Sequence, residues 1–592
     1  MLGQLLQRTL KSSSRSAPLR QAACTALPQR YVKAFAFLLI SPLASVAAQA
    51  QTGQGFDPRG TERRFERPQA DNPAPRLPQA PRLASPNADG KPLFVLRGVT
   101  VMGAHAIAPG ALAATYQRYL GKRVSQADLA AIAAAISEAY RGEGFHLSRA
   151  IVPPQDVADG RVRVQVIEGH IAELVVKGDG ADSFGIEAAL ADALAQRPSR
   201  LATLQRRLLL INDRPGVRVT DTQIEEIGSA TGRFRLIVTV QTWRIYLSAG
   251  LDNLGSSAVG PWQAYSTTAF NSLAVPGDSL AFNLSTVPNQ PEELFFGRVA
   301  YEAPVGNDGI RVGGSAYHSD VRPGDERRQF DTRTRTDSGE VHGTFVPWKT
   351  PTSALALTVS AAATDASSRD VFGTIYSDRV RTLGLSADAK LQDPLGTNYL
   401  TVSFRQGLNV LGASQEGDLV SHDGASGKFS VVNFWATRLQ PITDAWSIKL
   451  AGAGQFASAP MLASQQFYLG GAAFGRGYGS AEVGGDNAIA GSFELRFDQA
   501  LNQTWLTRYQ LYGFVDSGAV WNHGFGISDG ASLTSVGAGV RLYLRDQLEA
   551  GVAVAKPLTF AAPDNPDRHW RVLFSLTNTF KLCPGRPWMG CS

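Results

Sequence analysis

Cysteine is almost absent: the 592-residue chain has three, at Cys24, Cys583 and Cys591. No Cys/His grouping has metal-ligand spacing, which excludes a zinc site read from sequence. Long apolar runs are missing too. No stretch of about twenty apolar residues occurs, so a helical membrane span is excluded. Charged residues make up only 18% of the chain and hydrophobic ones 44%. A membrane protein of that composition must cross as a closed sheet, because lipid tolerates only helices and barrels. The glycines at Gly475, Gly477 and Gly479 lack the following helix and later acid of a nucleotide loop. No nucleophile–base pair is evident either. An enzyme is the least supported class, and no cofactor or metal is expected.

What is present begins with a targeting pattern. Arg8, Lys11, Arg15, Arg20, Arg30 and Lys33 precede any acidic residue, then come the apolar run Ala34–Val46 and small residues to Ala50. That is the order of a secretory signal, here 1–50, with a long basic region. These six residues account for the whole formal charge of +6, so the basic balance gives no support to nucleic-acid binding. In an oxidising periplasm Cys583 and Cys591 could form one disulfide within the tail 581–592. Residues 51–92 read as a Pro-rich linker. Within it TERRFERP allows two helical turns before Pro68.

Two units of similar order follow, at 93–169 and 170–242. The first reads as a strand Phe94–Met102, a helix Ile107–Leu120, and a helix from N-cap Ser125 to Arg141. Strands Ser148–Val152 and Arg161–Ile167 close it. The second runs Ile171–Lys177, helices Ile186–Gln196 and Leu201–Asn212, then strands Val217–Thr222 and Phe234–Gln241. Each is about 75 residues, enough for a small core beneath one sheet. His146, alone before a strand, reads as structural.

From Trp243 to Phe580 the pattern changes to strands of about ten residues. Tyr399–Val410 sets Leu400, Val402, Phe404, Leu408 and Val410 against polar neighbours. Ile489–Asp498 sets Ile489, Phe493, Leu495 and Phe497 against Ser492, Glu494, Arg496 and Asp498. Ser535–Arg545 opposes Val536, Val540, Leu542 and Leu544 to Arg541 and Tyr543. The last strand is Trp570–Phe580. One apolar and one polar face, strand after strand, predicts a transmembrane barrel of roughly sixteen strands. The charged stretch Arg322–Asp337 reads as an extracellular loop or rim.

Near the C-terminus, Arg476-Gly477-Tyr478 stands in a glycine-rich loop and Phe514, Asp516 and Gly518 share the inward face of a strand. An arginine fork suits a carboxylate held in a water-poor cavity, so Arg476 and Asp516 are expected to pair as a latch. Glu494 and Arg496 face the same lumen and extend the network or simply line a solvated wall. Tyr478 either wedges against Phe514 or is a plain loop aromatic.

With these motifs in place, the chain resembles a two-partner secretion transporter. This is the haemolysin and filamentous-haemagglutinin secretion-activation family, within the barrel-assembly superfamily. Gly144–Gly169 and Leu208–Val219 resemble its polypeptide-transport-associated (POTRA) domains, and Leu251–Gly260 the opening of its barrel. Arg476-Gly477-Tyr478 matches the tip of its sixth extracellular loop, and Phe514, Asp516 and Gly518 its strand motif. The resemblance implies two periplasmic POTRA domains that take an unfolded secreted partner, a large adhesin or haemolysin. Export then runs through the barrel in the outer membrane of a Gram-negative bacterium, without ATP. It also implies contact with outer-membrane lipid and with the barrel-assembly machinery during biogenesis. Family members often begin with a plug helix, and the proline spacing around 56–69 argues against one here. The alternatives are an outer-membrane insertase, which shares the motifs but usually has more POTRA domains, and a passive porin, which needs neither arm nor arginine loop.

Overall fold

The computed structural model describes residues 57–65, 90–228, 231–527, 530–545 and 547–582. The expected secretory signal, most of the expected linker and the cysteines of the tail lie outside the described residues. The described residues form five α-helices: α1 (Pro58–Phe65), α2 (Pro109–Tyr116), α3 (Gln126–Gly142), α4 (Ile186–Ala195) and α5 (Leu201–Asn212).

The first arm domain packs α2 and α3 on a three-stranded sheet of Gly98–Met102, Arg161–Ile167 and Arg149–Ile151, in that spatial order. Ser125 caps α3 with a capping box: Asp128 returns the bond to the Ser125 backbone at 2.8 Å. The apolar face Leu129, Ile132, Ala133, Ile136 and Tyr140 is buried against Val162, Val164 and Val166. The single strand expected over Phe94–Met102 is two, Pro92–Val95 and Gly98–Met102. Leu96 and Arg97 break it because their amides bond to different segments, the carbonyls of Lys122 and Gly160.

The second arm domain repeats the plan, with His170–Lys177, Arg233–Thr242 and Val217–Glu226 in that order. Leu147, from the first domain, is buried in the core of the second. That shared residue ties the two together.

Sixteen strands then close into one antiparallel barrel. In chain order they are β1 (Ile245–Asp252), β2 (Gln263–Asn271), β3 (Ser279–Thr286), β4 (Leu294–Val305), β5 (Ile310–Val321) and β6 (Arg333–Lys349). Next come β7 (Ser353–Asp370), β8 (Gly373–Asp393), β9 (Gly396–Gly407), β10 (Ser430–Pro441) and β11 (Trp446–Ala457). β12 (Asn487–Ala500), β13 (Arg508–Trp521), β14 (Ala531–Leu544), β15 (Leu548–Pro557) and β16 (Arg571–Leu582) complete it. β16 closes on β1, from Ser575 opposite Asp252 to Leu582 opposite Ile245. Leu400, Val402, Phe404, Ile489, Leu495 and Leu511 lie exposed on the outer face, as their alternation requires. Leu408 and Val410 do not belong to that face, because β9 ends at Gly407 and the chain turns into a loop. The charged stretch from Arg322 is a loop only to residue 332; Arg333 already stands on β6.

The second arm domain seats on barrel turns. Arg207 Nη2 donates to Asp308 Oδ1 at 2.7 Å, and Arg206 Nη2 to the carbonyls of Asp308 at 3.0 Å and Val346 at 2.6 Å. Lys349 meets Asp213 at 2.6 Å. The β4–β5 and β6–β7 turns therefore mark the arm side, and the longer loops lie at the other end. Despite its prolines, the linker places α1 on the inner wall. Arg298 of β4 bonds Glu62 at 3.1 Å, and the ring of Phe65 stacks on Phe296 at 5.8 Å.

Candidate functional site: a loop latched inside the barrel

The loop between β11 and β12 spans residues 458–486 and folds back into the lumen. Its apolar side chains Phe467, Leu469, Phe474, Tyr478 and Val483 are buried against Val520 and Leu533 of the wall. Trp435 of β10 stacks on Phe467 at 5.9 Å and meets Phe474 at 5.5 Å. Burial of this kind stabilises by roughly 1.5–3 kcal/mol per large side chain, which holds the loop before any charge is counted.

Close approach depends on glycine. A Cβ on Gly477 would lie 2.8 Å from Ser535 Cβ and 2.9 Å from the Pro557 nitrogen. One on Gly518 would lie 3.0 Å from Leu469. The loop backbone therefore touches the wall at Gly477, and the wall backbone meets a loop side chain, Leu469, at Gly518.

At the loop tip, Arg476 forks onto Asp516: Nε donates to Oδ2 and Nη2 to Oδ1, both at 2.8 Å. The Arg476 backbone amide adds a third bond to Oδ2 at 3.1 Å. Ser492 Oγ donates to Asp516 Oδ1 at 2.8 Å. The Asp516 side chain is fully buried and that of Arg476 is 12% exposed. Arg476 Nη1 also donates to Glu494 Oε2 at 2.6 Å. Glu494 in turn accepts from Arg496 at 2.7 Å and Arg541 at 2.9 Å. Beneath the charges lie two rings, Tyr512 and Phe514, stacked at 6.2 Å. The Arg476 guanidinium covers Phe514 at 3.5 Å, and that of Arg541 covers Tyr512 at 3.8 Å.

The expected residues thus converge, with one reassignment. Phe514 is covered by Arg476 and not by Tyr478. The Tyr478 ring lies by Phe560 at 6.5 Å, and its hydroxyl donates to the Thr534 carbonyl at 3.1 Å. The amides of Thr559 and Phe560 donate back to that hydroxyl at 3.3 and 3.2 Å. Glu494 and Arg496 do join the network. Ser492 and Arg541 were not singled out from sequence, although their parity already turned them inward. What was missing is which strands adjoin.

At the loop base Asp486 accepts from the amides of Met461 at 3.0 Å and His523 at 2.9 Å, and from Gln466 Nε2 at 3.1 Å. Within the loop, burial first and the charge of Asp564 second push Glu482 up to about 7.

A closed barrel, an arm of small α+β domains and a loop ion-paired to the inner wall define an outer-membrane transporter of the POTRA-plus-barrel class. Residues 235–542, more than half of the chain, match the family model described as haemolysin secretion/activation protein ShlB/FhaC/HecB, and residues 94–169 match its POTRA domain, ShlB-type. The chain belongs to this family of outer-membrane transporters. It is 25% identical over 483 residues to the heme/hemopexin transporter protein HuxB of Haemophilus influenzae, covering 79% of this chain and 84% of that one. It is 23% identical over 511 residues to the outer membrane transporter CdiB of Dickeya dadantii, covering 83% and 87%. In fold it is similar to CdiB from Escherichia coli, with a TM-score of 0.69 at 18% identity over 88% of this chain and 98% of that one. CdiB from Acinetobacter baumannii gives 0.61 at 17% identity, over 88% and 97%. The protein resides in the outer membrane, and its relatives are transporters, not enzymes.

Proposed function

We propose that this transporter exports one secreted partner protein, haemolysin-like or adhesin-like, in an unfolded state and without ATP. The two arm domains receive the client, and the latched loop governs passage through the lumen. The observation that carries this reading is the Arg476 fork on Asp516. It is buried, placed at the tip of a long loop, and the loop occupies space a threading chain needs. Each arm sheet ends in edge strands, such as Gly98–Met102 and His170–Lys177, to which an extended client can pair by its backbone. Folding of the client outside the cell biases the direction of movement.

The test is surface delivery of the client in cells with matched barrel levels. Arg476→Ala and Asp516→Ala are expected to abolish delivery while the barrel still inserts; normal delivery in both would eliminate the latch. Depletion separates this reading from an insertase. Loss of one large secreted protein supports export, whereas a general loss of barrels from the cell surface supports insertion.

A further inference from the structure

The charged stretch that runs into β6 has no part in the latch. Its arginines lie on the face of the wall where apolar residues belong. Arg333 and Arg335 alternate with Thr334 and Thr336, and the threonines turn inward: Thr336 is buried, and Thr334 bonds the buried Ser368 at 3.0 Å. The arginines share the outward face with Val341 and Phe345, and Arg369 of β7 and Arg379 and Arg381 of β8 face the same way.

Cross-strand register sorts these outward residues by height. The rows through Phe345, Gly343 and Val341 contain only apolar residues and glycine across β5–β8. The next row contains Arg381. Above it come Asp337, Asp365 and Arg379, then Asp320 and Arg335, then Arg333 and Arg369. From Leu391 to Leu383, β8 climbs about 20 Å at roughly 3.3 Å per residue and a tilt of about 40°. A barrel's apolar band is about 25 Å tall, so the arginines begin where the outer leaflet's headgroups begin.

The acids of this patch are already engaged. Arg333 Nε bonds Asp320 at 2.7 Å and Arg335 Nε reaches the same carboxylate at 3.4 Å, Arg381 bonds Asp365 at 2.6 Å, and His318 bonds Asp337 at 2.7 Å. Five arginines stand against the three aspartates of these strands and Asp331 beside Arg333, which leaves an excess of positive charge, and Arg369 and Arg379 are exposed. On the far side of the barrel the same end of β13–β15 presents Trp521, Ser517, Thr534 and Lys556, with no arginine among them. Next to the patch, the outer wall has a groove of about 740 Å³. Small residues such as Gly297, Ala316, Gly339 and Ala363 line it together with Phe282 and Phe295, and the already paired His318, Asp337 and Asp365 line it too.

We propose that this quarter of the barrel binds a phosphorylated lipid of the outer leaflet. Its phosphate sits on Arg335, Arg369 and Arg379, and an acyl chain lies along the groove. Guanidinium forks match phosphate oxygens, and the small-residue lining lets a chain lie flat against the wall. Basic residues at a membrane surface each favour anionic headgroups by about fivefold in affinity.

The test uses the delipidated full-length protein in detergent with diphosphoryl lipid A as the probe, and native mass spectrometry as the readout. Arg335→Gln with Arg379→Gln is expected to weaken binding by about 25-fold. Arg369→Gln, which leaves the ion pairs of Asp320, Asp337 and Asp365 in place, is expected to weaken it by about fivefold. Lys556→Gln on the far wall is expected to change nothing. Equal binding of a dephosphorylated lipid, or unchanged binding in the arginine variants, would overturn the proposal. So would complete displacement by inorganic phosphate, which would mark an ion site and not a lipid site. A dimer that dissociates in the variants would assign the patch to a second copy and overturn it as well.

Discussion

Asp516 has no exposed surface and four donor contacts, three of them from one residue of the loop. Removing Arg476 therefore strands a buried carboxylate, a change that typically costs about 3–5 kcal/mol. Arg476→Lys keeps the charge but loses the planar fork and its cover over Phe514, so it is expected to behave like the alanine variant in surface delivery. A second prediction concerns the close contact at Gly477. Gly477→Val forces a side chain into Ser535 and the Pro557 backbone, an overpacking cost of about 1–3 kcal/mol. The expected result is a loop displaced toward solvent, seen as new protease cleavage within residues 458–486 of an otherwise intact barrel.

Among elements, the loop carries its own pH dependence. Glu482 is raised from 4.5 to about 7, and its protonated form is the one that suits the buried site. The stability it contributes is complete below about 4.5 and is lost as pH rises through about 7. Loop cleavage relative to Glu482→Gln is therefore expected to increase across that window, and a constant ratio would contradict it. In the arm the sign reverses. Burial pulls His146 down to about 4, and neither ring nitrogen has a hydrogen-bond partner. The neutral ring's contribution is present above about 6.5 and is lost as pH falls toward about 4. His146→Phe is expected to shift acid unfolding of the arm to lower pH, measured by circular dichroism. Elements of this kind were legible wherever side-chain periodicity decides structure: α3 from its cap and apolar stripe, and the barrel strands from parity. Partners across strands were not. Arg541 could be turned inward by counting from Val540, but its meeting with Glu494 depends on β12, β13 and β14 lying side by side. Contacts of α1 with Phe296 and Arg298 were hidden because proline spacing limits a helix without saying where it docks. The outward arginines of β6 were missed because alternating charge resembles a solvated loop.

Across the whole molecule, the arm is fixed to the barrel through its second domain. Arg207→Ala removes the ion pair to the β4–β5 turn and leaves Asp308 Oδ1 without that partner, while Arg206 keeps its bond to the Asp308 carbonyl. A cysteine crosslink engineered between α5 and this turn is expected to form less efficiently in the variant, while the barrel's heat resistance on gels is unchanged. Deleting residues 93–242 is expected to leave a conducting pore that delivers no client; undiminished delivery would reject the arm as receptor. The ion network also bears on the loop movement proposed above. Without Arg476, Glu494 is still gripped by Arg496 and Arg541, and Asp516 keeps its bond from Ser492. On the proposed reading, in which the loop leaves the lumen for a client to pass, a wall still braced by these bonds is expected to keep a ready seat for the loop's return, so that one barrel serves successive cargoes without rebuilding its wall.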